Sequence, residues 1–386
     1  LIMRLVAYLI AITWAIYCYS NAYFFMPVYL GLHQFPKELT GILVGAFYAA
    51  TTLVRPFGGF ITERAGIKRT LIISAVSCIC AATLKFFTLS FAPLLLIRIL
   101  MGCSFGIFIV ALTTYQSLVI PEESRGVAFA YISIGSLGCL ATVVPLADLL
   151  LSYQCEKFYL SLPIISAFFC MILSIKLPPL PENVKKTTEN QEWGTWGELY
   201  ENTPFWRIAA SNALFNLCDA ANIYLPAFAI AMKLVPSSFS VAVAIGAFTV
   251  RTLGGKIFTI FPRYALAGPS LFTMALSLIL SAYATNNALF FMCGLLFGAG
   301  MGYGYPAQLS LIGDLAPAKL RAKLSSLVHF CIDISWFLIP LYMGFATPHI
   351  GEVGAFKLLS IVCMISGILV TAMWSKYEKS KRAAKC

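Results

Sequence analysis

Charge is what this sequence has least of. Asp, Glu, Lys and Arg make up 11% of its 386 residues, against roughly a quarter in a water-soluble globular chain. That shortage argues against a large soluble core. Histidine is scarce as well, at three residues, and no cysteines share the CxxC spacing of a structural zinc site. The 12 cysteines are scattered through apolar runs and read as small buried hydrophobes, not as disulfides or metal ligands. For enzymatic chemistry the chain offers little beyond His329 and Asp333, and no cofactor motif accompanies them. The run GLLFGAGMGYGYP at 294–306 lacks both the Lys-Ser/Thr ending and the preceding strand of a phosphate loop. What the chain does contain is apolar: 60% hydrophobic residues and a mean hydropathy of +0.84.

Roughly 20 residues of helix cross a bilayer, and apolar runs of that length recur along the chain. They are expected near 5–29, 39–60, 69–90, 93–117, 127–148 and 157–176, then near 204–231, 238–260, 263–284, 288–312, 323–346 and 352–374. The fold class is therefore an all-α polytopic membrane protein with twelve transmembrane helices. Its expected organisation is an N-terminal six-helix bundle (1–176), a polar linker (177–203), a C-terminal six-helix bundle (204–374) and a basic tail (375–386). The first run has no convincing small-residue cleavage site and reads as a span rather than a signal peptide. The formal net charge of +11 would suggest a nucleic-acid partner in a soluble protein. Here 21 of the 27 lysines and arginines fall toward one side of the topology, which places both termini in the cytoplasm. Membrane lipid headgroups are a lesser partner for that face.

The two halves repeat one another. Shifted by 196 residues, Gly102 meets Gly298, Gly106 meets Gly302, Pro121 meets Pro317 and Arg125 meets Arg321. Pro27 and Tyr29 close the first span much as Pro226 closes the seventh. Halves that rock about a central site are the expected mechanical consequence.

Between the second and third spans lies RPFGGFITERAGIKR, residues 55–69. Gly58 and Gly59 suit close helix contact, and Gly66 suits a positive-φ position. Gly59, Glu63, Arg64, Gly66, Lys68 and Arg69 resemble the loop signature of the major facilitator superfamily, with Glu63 for the usual aspartate and Ile67 for the usual arginine. That resemblance covers about residues 5–374 and implies a secondary transporter of alternating access with two six-helix bundles. Arg125 and Arg321 link spans on the inner face and can meet acidic residues or helix ends there, so gating together with the 55–69 loop is expected, with a purely topogenic role the alternative for the lysines. The counterpart loop at Arg251–Arg263 keeps charge and glycine but lacks the acidic residue. The Arg-Pro before the glycine pair resembles compact bacterial efflux-type members. The fifth span lacks the full glycine–proline signature of many drug antiporters, because Gly135, Gly138 and Pro145 are too loosely spaced.

Charge inside a span costs about 3 kcal/mol on insertion scales, so the intramembrane polar residues are the site candidates. Arg98 heads RILMGCSFG; the resemblance to proton-coupled exporters implies a coupling role for it, with Met101 replacing the motif's usual glutamine. A structural arginine bonded to first-span polar groups is the competing reading. Asp219 has Asn216 and Asn222 one turn to either side, a pattern that can line a cavity or join two helices. Asp333 and His329 lie four apart on the eleventh span and fit a proton relay or a helix lock. Trp14, Tyr17 and Asn21 on the first span, with Tyr303 and Tyr305 on the tenth, are the expected solute contacts.

These readings together suggest proton-coupled efflux (antiport) of a small organic solute across a bacterial inner membrane, by a monomer that uses protons and binds no nucleic acid. Proton-coupled uptake of an amino acid, organic acid or sugar is the first alternative, and a non-transporting membrane receptor or scaffold the second.

Overall fold

The computed structural model of the chain describes residues 2–120, 125–178, 195–202, 204–253, 260–317 and 320–383. Among them there is no strand. An apolar chain in lipid must satisfy its backbone polar groups within each segment, and helices do so. Side-chain hydroxyls are handled the same way: Thr51, Thr62 and Ser174 each donate to the carbonyl four residues back, at 2.9, 2.6 and 2.7 Å.

Two compact units are present, residues 1–191 with 340–345 and residues 192–339 with 346–386. The first begins with a broken span: helix Ile2–Asn21, a 3-10 turn Ala22–Phe25, then helix Met26–Leu32. Lys37–Ala65, Ile67–Leu84, Phe91–Val119, Arg125–Ser152 and Glu156–Ile175 follow. The second unit opens with the short helix Trp196–Asn202 and a second broken span. There, helix Phe205–Asp219 leads through a 3-10 turn at Ala220–Ile223 to helix Leu225–Ala231. Pro236–Leu253, Arg263–Ser281, Asn287–Leu315 and Arg321–Ala383 complete it.

Ten of the described helices are long and apolar enough to cross a membrane, and the seventh span, bent by 50°, makes eleven. The long final helix breaks at Gly351, whose φ of 72° and ψ of 165° are not helical. The stretches on either side of that break, 321–350 and 352–383, are each long enough to be a span. The helix then continues through the basic residues of the expected tail as far as Ala383. The expected linker falls mostly outside the described residues.

Each unit exposes apolar residues outward, including Leu53, Ile73, Leu96 and Phe158 in the first and Leu253, Ile368 and Leu369 in the second. A surface of that kind needs lipid as its solvent. The 196-residue repeat extends to packing. A Cβ on Gly102 would strike the Phe47 carbonyl oxygen, and one on Gly298 would strike that of Val243. Gly106 is pressed against Thr51 and Val54, and Gly302 against Ala247 and Val250. Helices two and four, and helices eight and ten, therefore approach through the same register of glycines. The tenth helix uses its other face as well, with Gly300 against Ser270 and Met274 and Gly304 against Phe215.

Candidate transport site

Unusually broken hydrophobic segments at matching positions of two halves point to a transporter's binding region, and both broken spans carry polar residues at the break. In the first unit Asn21 ends the helix. It is buried, donates from Nδ2 to Cys139 Sγ at 2.8 Å and accepts from Ser20 Oγ at 3.0 Å. Trp14 is 37% exposed, and its indole N–H reaches Thr142 Oγ1 at 3.0 Å. Tyr17 is half-buried and stands edge-on to Phe105 at 6.2 Å.

In the second unit Asp219 is the last α-helical residue and is 5% exposed. The expectation of three polar residues on one continuous helical face needs correction, because the helix ends between them. Asn222 lies on the 3-10 turn, where Nδ2 folds back to the Asp219 carbonyl at 2.9 Å and to its Oδ1 at 3.4 Å. Asn216 donates instead to the Asn212 carbonyl at 2.8 Å, leaving its own buried Oδ1 without a partner. Among the described residues no cation forms an ion pair with Asp219. On the tenth span the Tyr303 hydroxyl lies 3.0 Å from Thr273 Oγ1, and Tyr305 is half-buried and engaged. On the eleventh, Asp333 is buried and His329 half-buried, and each already has an interaction partner.

A buried polar link anchors each broken span to the fourth helix of its own unit. Gln116 Nε2 reaches Thr13 Oγ1 at 3.4 Å in the first. In the second, Ser211 Oγ donates to Gln308 Oε1 at 3.0 Å, and Trp374 Nε1 donates to Ser211 Oγ at 3.2 Å. Buried hydrogen bonds of this type fix helix register, since separating the partners leaves polar atoms in hydrocarbon.

Arg98 is 1% exposed. Its expected bonds to first-span polar groups are replaced by bonds to second-span backbone: Nε to the Leu43 carbonyl at 3.0 Å and one terminal nitrogen to that of Val44 at 3.3 Å. Its guanidinium also stands 5.0 Å from the Tyr23 ring and 4.8 Å from Phe47. Lys85, which is not among the site candidates of the sequence, is 2% exposed and stands 4.5 Å from that same Tyr23 ring. Its place inside an expected span was the signal that could have found it. The two distances laid end to end put the cations no more than about 9.5 Å apart. Two positive charges at that separation or closer repel by at least about 2 kcal/mol at an effective dielectric constant near 20. Desolvation adds several kcal/mol for each ion, whereas cation–π contacts return about 0.5–2 kcal/mol apiece.

In the loop between the second and third spans, Gly66 has the expected positive φ, 84°. Gly58 packs against Val110, but a Cβ on Gly59 would meet nothing within 4 Å. Adjacent helical residues point about 100° apart, so among the described residues Gly58 faces a neighbour and Gly59 does not. Lys68 Nζ donates to the Leu177 carbonyl at 3.0 Å. Arg64 and Arg69 are exposed, and Arg64 is engaged. The side chains of Glu63, Arg125 and Arg321 lie outside the described residues. In the counterpart loop, Arg263 pairs with Asp314 at 2.6 Å.

The class defined by these features is an all-helical polytopic membrane protein, as far as the described residues go. The family model for the Major Facilitator Superfamily matches residues 8–340 and again 237–385, and the chain belongs to that superfamily. No curated protein sequence matches it. Among solved structures it is similar to a POT family transporter in complex with a thioalcohol-conjugated peptide, with TM-score 0.78 and 11% identity over 97% of this chain and 96% of that one. It is also similar to a D-xylose-proton symporter, with TM-score 0.76 and 13% identity over 94% and 95%. The inward-open xylose transporter XylE from E. coli gives TM-score 0.76 and 14% identity over 96% of each chain. At these identities the likeness is one of fold.

Proposed function

We propose that this protein is a proton-coupled secondary transporter of a small organic solute, working as an antiporter in the direction of efflux, with Asp219 as the proton carrier. The observation that carries this reading is a buried carboxylate at the break of the seventh span, held by Asn222 and with no ion-pair partner among the described residues. Such a group is stable there when a proton neutralises it or when a solute supplies donors to it. Proton and solute then compete for one position, and that competition is the logic of exchange. Trp14, Tyr17, Asn21, Asn216, Asn222, Tyr303 and Tyr305 are the proposed solute contacts. Arg98 and the His329–Asp333 pair assist the coupling.

The second reading is symport, favoured by the D-xylose-proton symporter whose fold this chain shares. In either case two six-helix bundles at 1–176 and 204–374 would alternate about the site. Gly59, Glu63, Arg64, Gly66, Lys68, Arg69, Arg125 and Arg321 would gate its inner side. The excess of positive charge toward one face supports a bacterial inner-membrane placement with both termini cytoplasmic. The experiment is flux in proteoliposomes under an imposed pH gradient. Antiport predicts that solute moves against the proton flow, and solute moving with the protons would establish symport instead.

A further inference from the structure

Lys85, a buried basic residue of the first unit, has no part in the coupling proposed above, and the surroundings it shares with Arg98 call for a ligand of their own. Lys85 Nζ has no hydrogen-bond partner, and it is faced by the rings of Tyr23, Tyr29 and Tyr159 at 4.5, 4.9 and 5.7 Å. The second terminal nitrogen of Arg98 is likewise unpartnered, as are the buried hydroxyls of Tyr23 and Tyr159. Among the described residues no carboxylate pairs with either cation. Lys85 and Arg98 therefore share the Tyr23 ring, and Lys85 also faces Tyr159, so unpartnered donors of two basic side chains and two tyrosines lie in one buried region where no carboxylate pairs with them among the described residues.

The fold itself does not require this arrangement, because the second unit builds the equivalent region without charge. At the 196-residue offset, Arg98 corresponds to Gly294, which packs on the Phe239 backbone, and Lys85 corresponds to Ser281. Where the first unit sets Tyr29 beside Tyr159 at 5.6 Å, the second stacks Phe228 on Phe356 at 4.0 Å. The tyrosines and cations of the first unit are thus additions to a scaffold that closes with phenylalanine, serine and glycine. Of the four residues with unpartnered donors, Lys85 also borders a cavity, one of about 330 Å³ with Tyr29, His33, Glu156 and Lys157 among its walls. The one carboxylate there, Glu156, is held by His33 at 2.8 Å.

We propose that Lys85, Arg98 and the hydroxyls of Tyr23 and Tyr159 form a binding site for a small monovalent anion, entered through this cavity. The ligand supplies the missing negative charge and accepts from the four orphaned donor groups. That chemistry is shared by a carboxylate on the solute and by a resident halide.

The test is a thermal-shift titration of the purified full-length protein in detergent with sodium chloride, acetate or benzoate. Benzamide serves as the neutral control, and sodium Hepes holds the ionic strength. A bound anion raises the unfolding midpoint saturably. The expected result is saturable stabilisation by at least one of the anions and none by benzamide, with Lys85→Gln weakening the apparent affinity at least tenfold. Stabilisation by carboxylates alone identifies a solute group, and stabilisation by chloride as well identifies a resident ion. The proposal is overturned if no anion stabilises, if benzamide matches benzoate, or if Lys85→Gln titrates like the parent. Should Lys85→Gln fail to fold, Tyr159→Phe takes its place, with an expected loss of at least threefold; unchanged affinity there overturns the proposal equally. No proton gradient is involved, so failure here and failure of the antiport reading are separate results.

Discussion

Alanine at Gly102 tests the repeated helix packing most sharply when paired with alanine at Gly59. Both positions are inside helices, so both gain the same propensity, about 1 kcal/mol over glycine. They differ in what the new methyl meets. At Gly102 it strikes the Phe47 carbonyl oxygen and comes within 2.9 Å of Ala50 Cβ, whereas at Gly59 it meets nothing within 4 Å. Backbone cannot rotate aside, so the clash separates helices two and four at an overpacking cost of about 1–3 kcal/mol. With roughly 2–4 °C of midpoint per kcal/mol for a unit of this size, Gly102→Ala should melt roughly 2–12 °C below Gly59→Ala. A fluorogenic thiol reagent can follow unfolding through the buried cysteines Cys18, Cys78, Cys139 and Cys170. Gly298→Ala should fall alongside Gly102→Ala, because its methyl strikes the Val243 carbonyl in the same way. Equal midpoints for Gly102→Ala and Gly59→Ala would refute the packing argument.

Trp374→Phe removes the indole donor to Ser211 and should cost about 0.5–1.5 kcal/mol, read as a lower midpoint in the same assay. Gly66→Ala and Gly351→Ala place a side chain at φ values of 84° and 72°; each should cost about 1–3 kcal/mol, visible as a lower midpoint and faster proteolysis near the affected turn. Asp314→Asn breaks the exposed pair with Arg263 and should shift stability by no more than about 1 kcal/mol, with any shift shrinking as salt is raised.

The fold was legible because its signal is physical and long-range along the chain. Apolar runs of span length, and glycines recurring at one offset, correspond directly to helices and to their closest approaches. Gly102 and Gly298 were paired by sequence alone, and both press on a carbonyl at the same register. The site was less legible because it depends on departures from helical geometry. Asn216, Asp219 and Asn222 look like one face when 3.6-residue periodicity is assumed, but the helix ends at Asp219 and Asn222 turns back on it. Pro27 and Pro226 announced those breaks only approximately, since the 3-10 turn precedes each proline. Lys85 was missed for a different reason. It lies inside the expected span 69–90, but a lysine near a span end ordinarily extends to the interface, whereas this one is buried among tyrosines. Gly58 and Gly59 show the same limit on a smaller scale, because adjacent glycines read alike in sequence while one faces a helix and the other does not.

The central claim is that the carboxylate at the broken seventh span couples proton to solute, and Asp219→Asn in proteoliposomes tests it most directly. The amide keeps the shape and the hydrogen-bond acceptor facing Asn222 but cannot exchange a proton. Solute exchange at equal pH on both sides should persist in the variant, while accumulation driven by a pH gradient should disappear. Gradient-driven accumulation at the parental rate in Asp219→Asn would contradict the account.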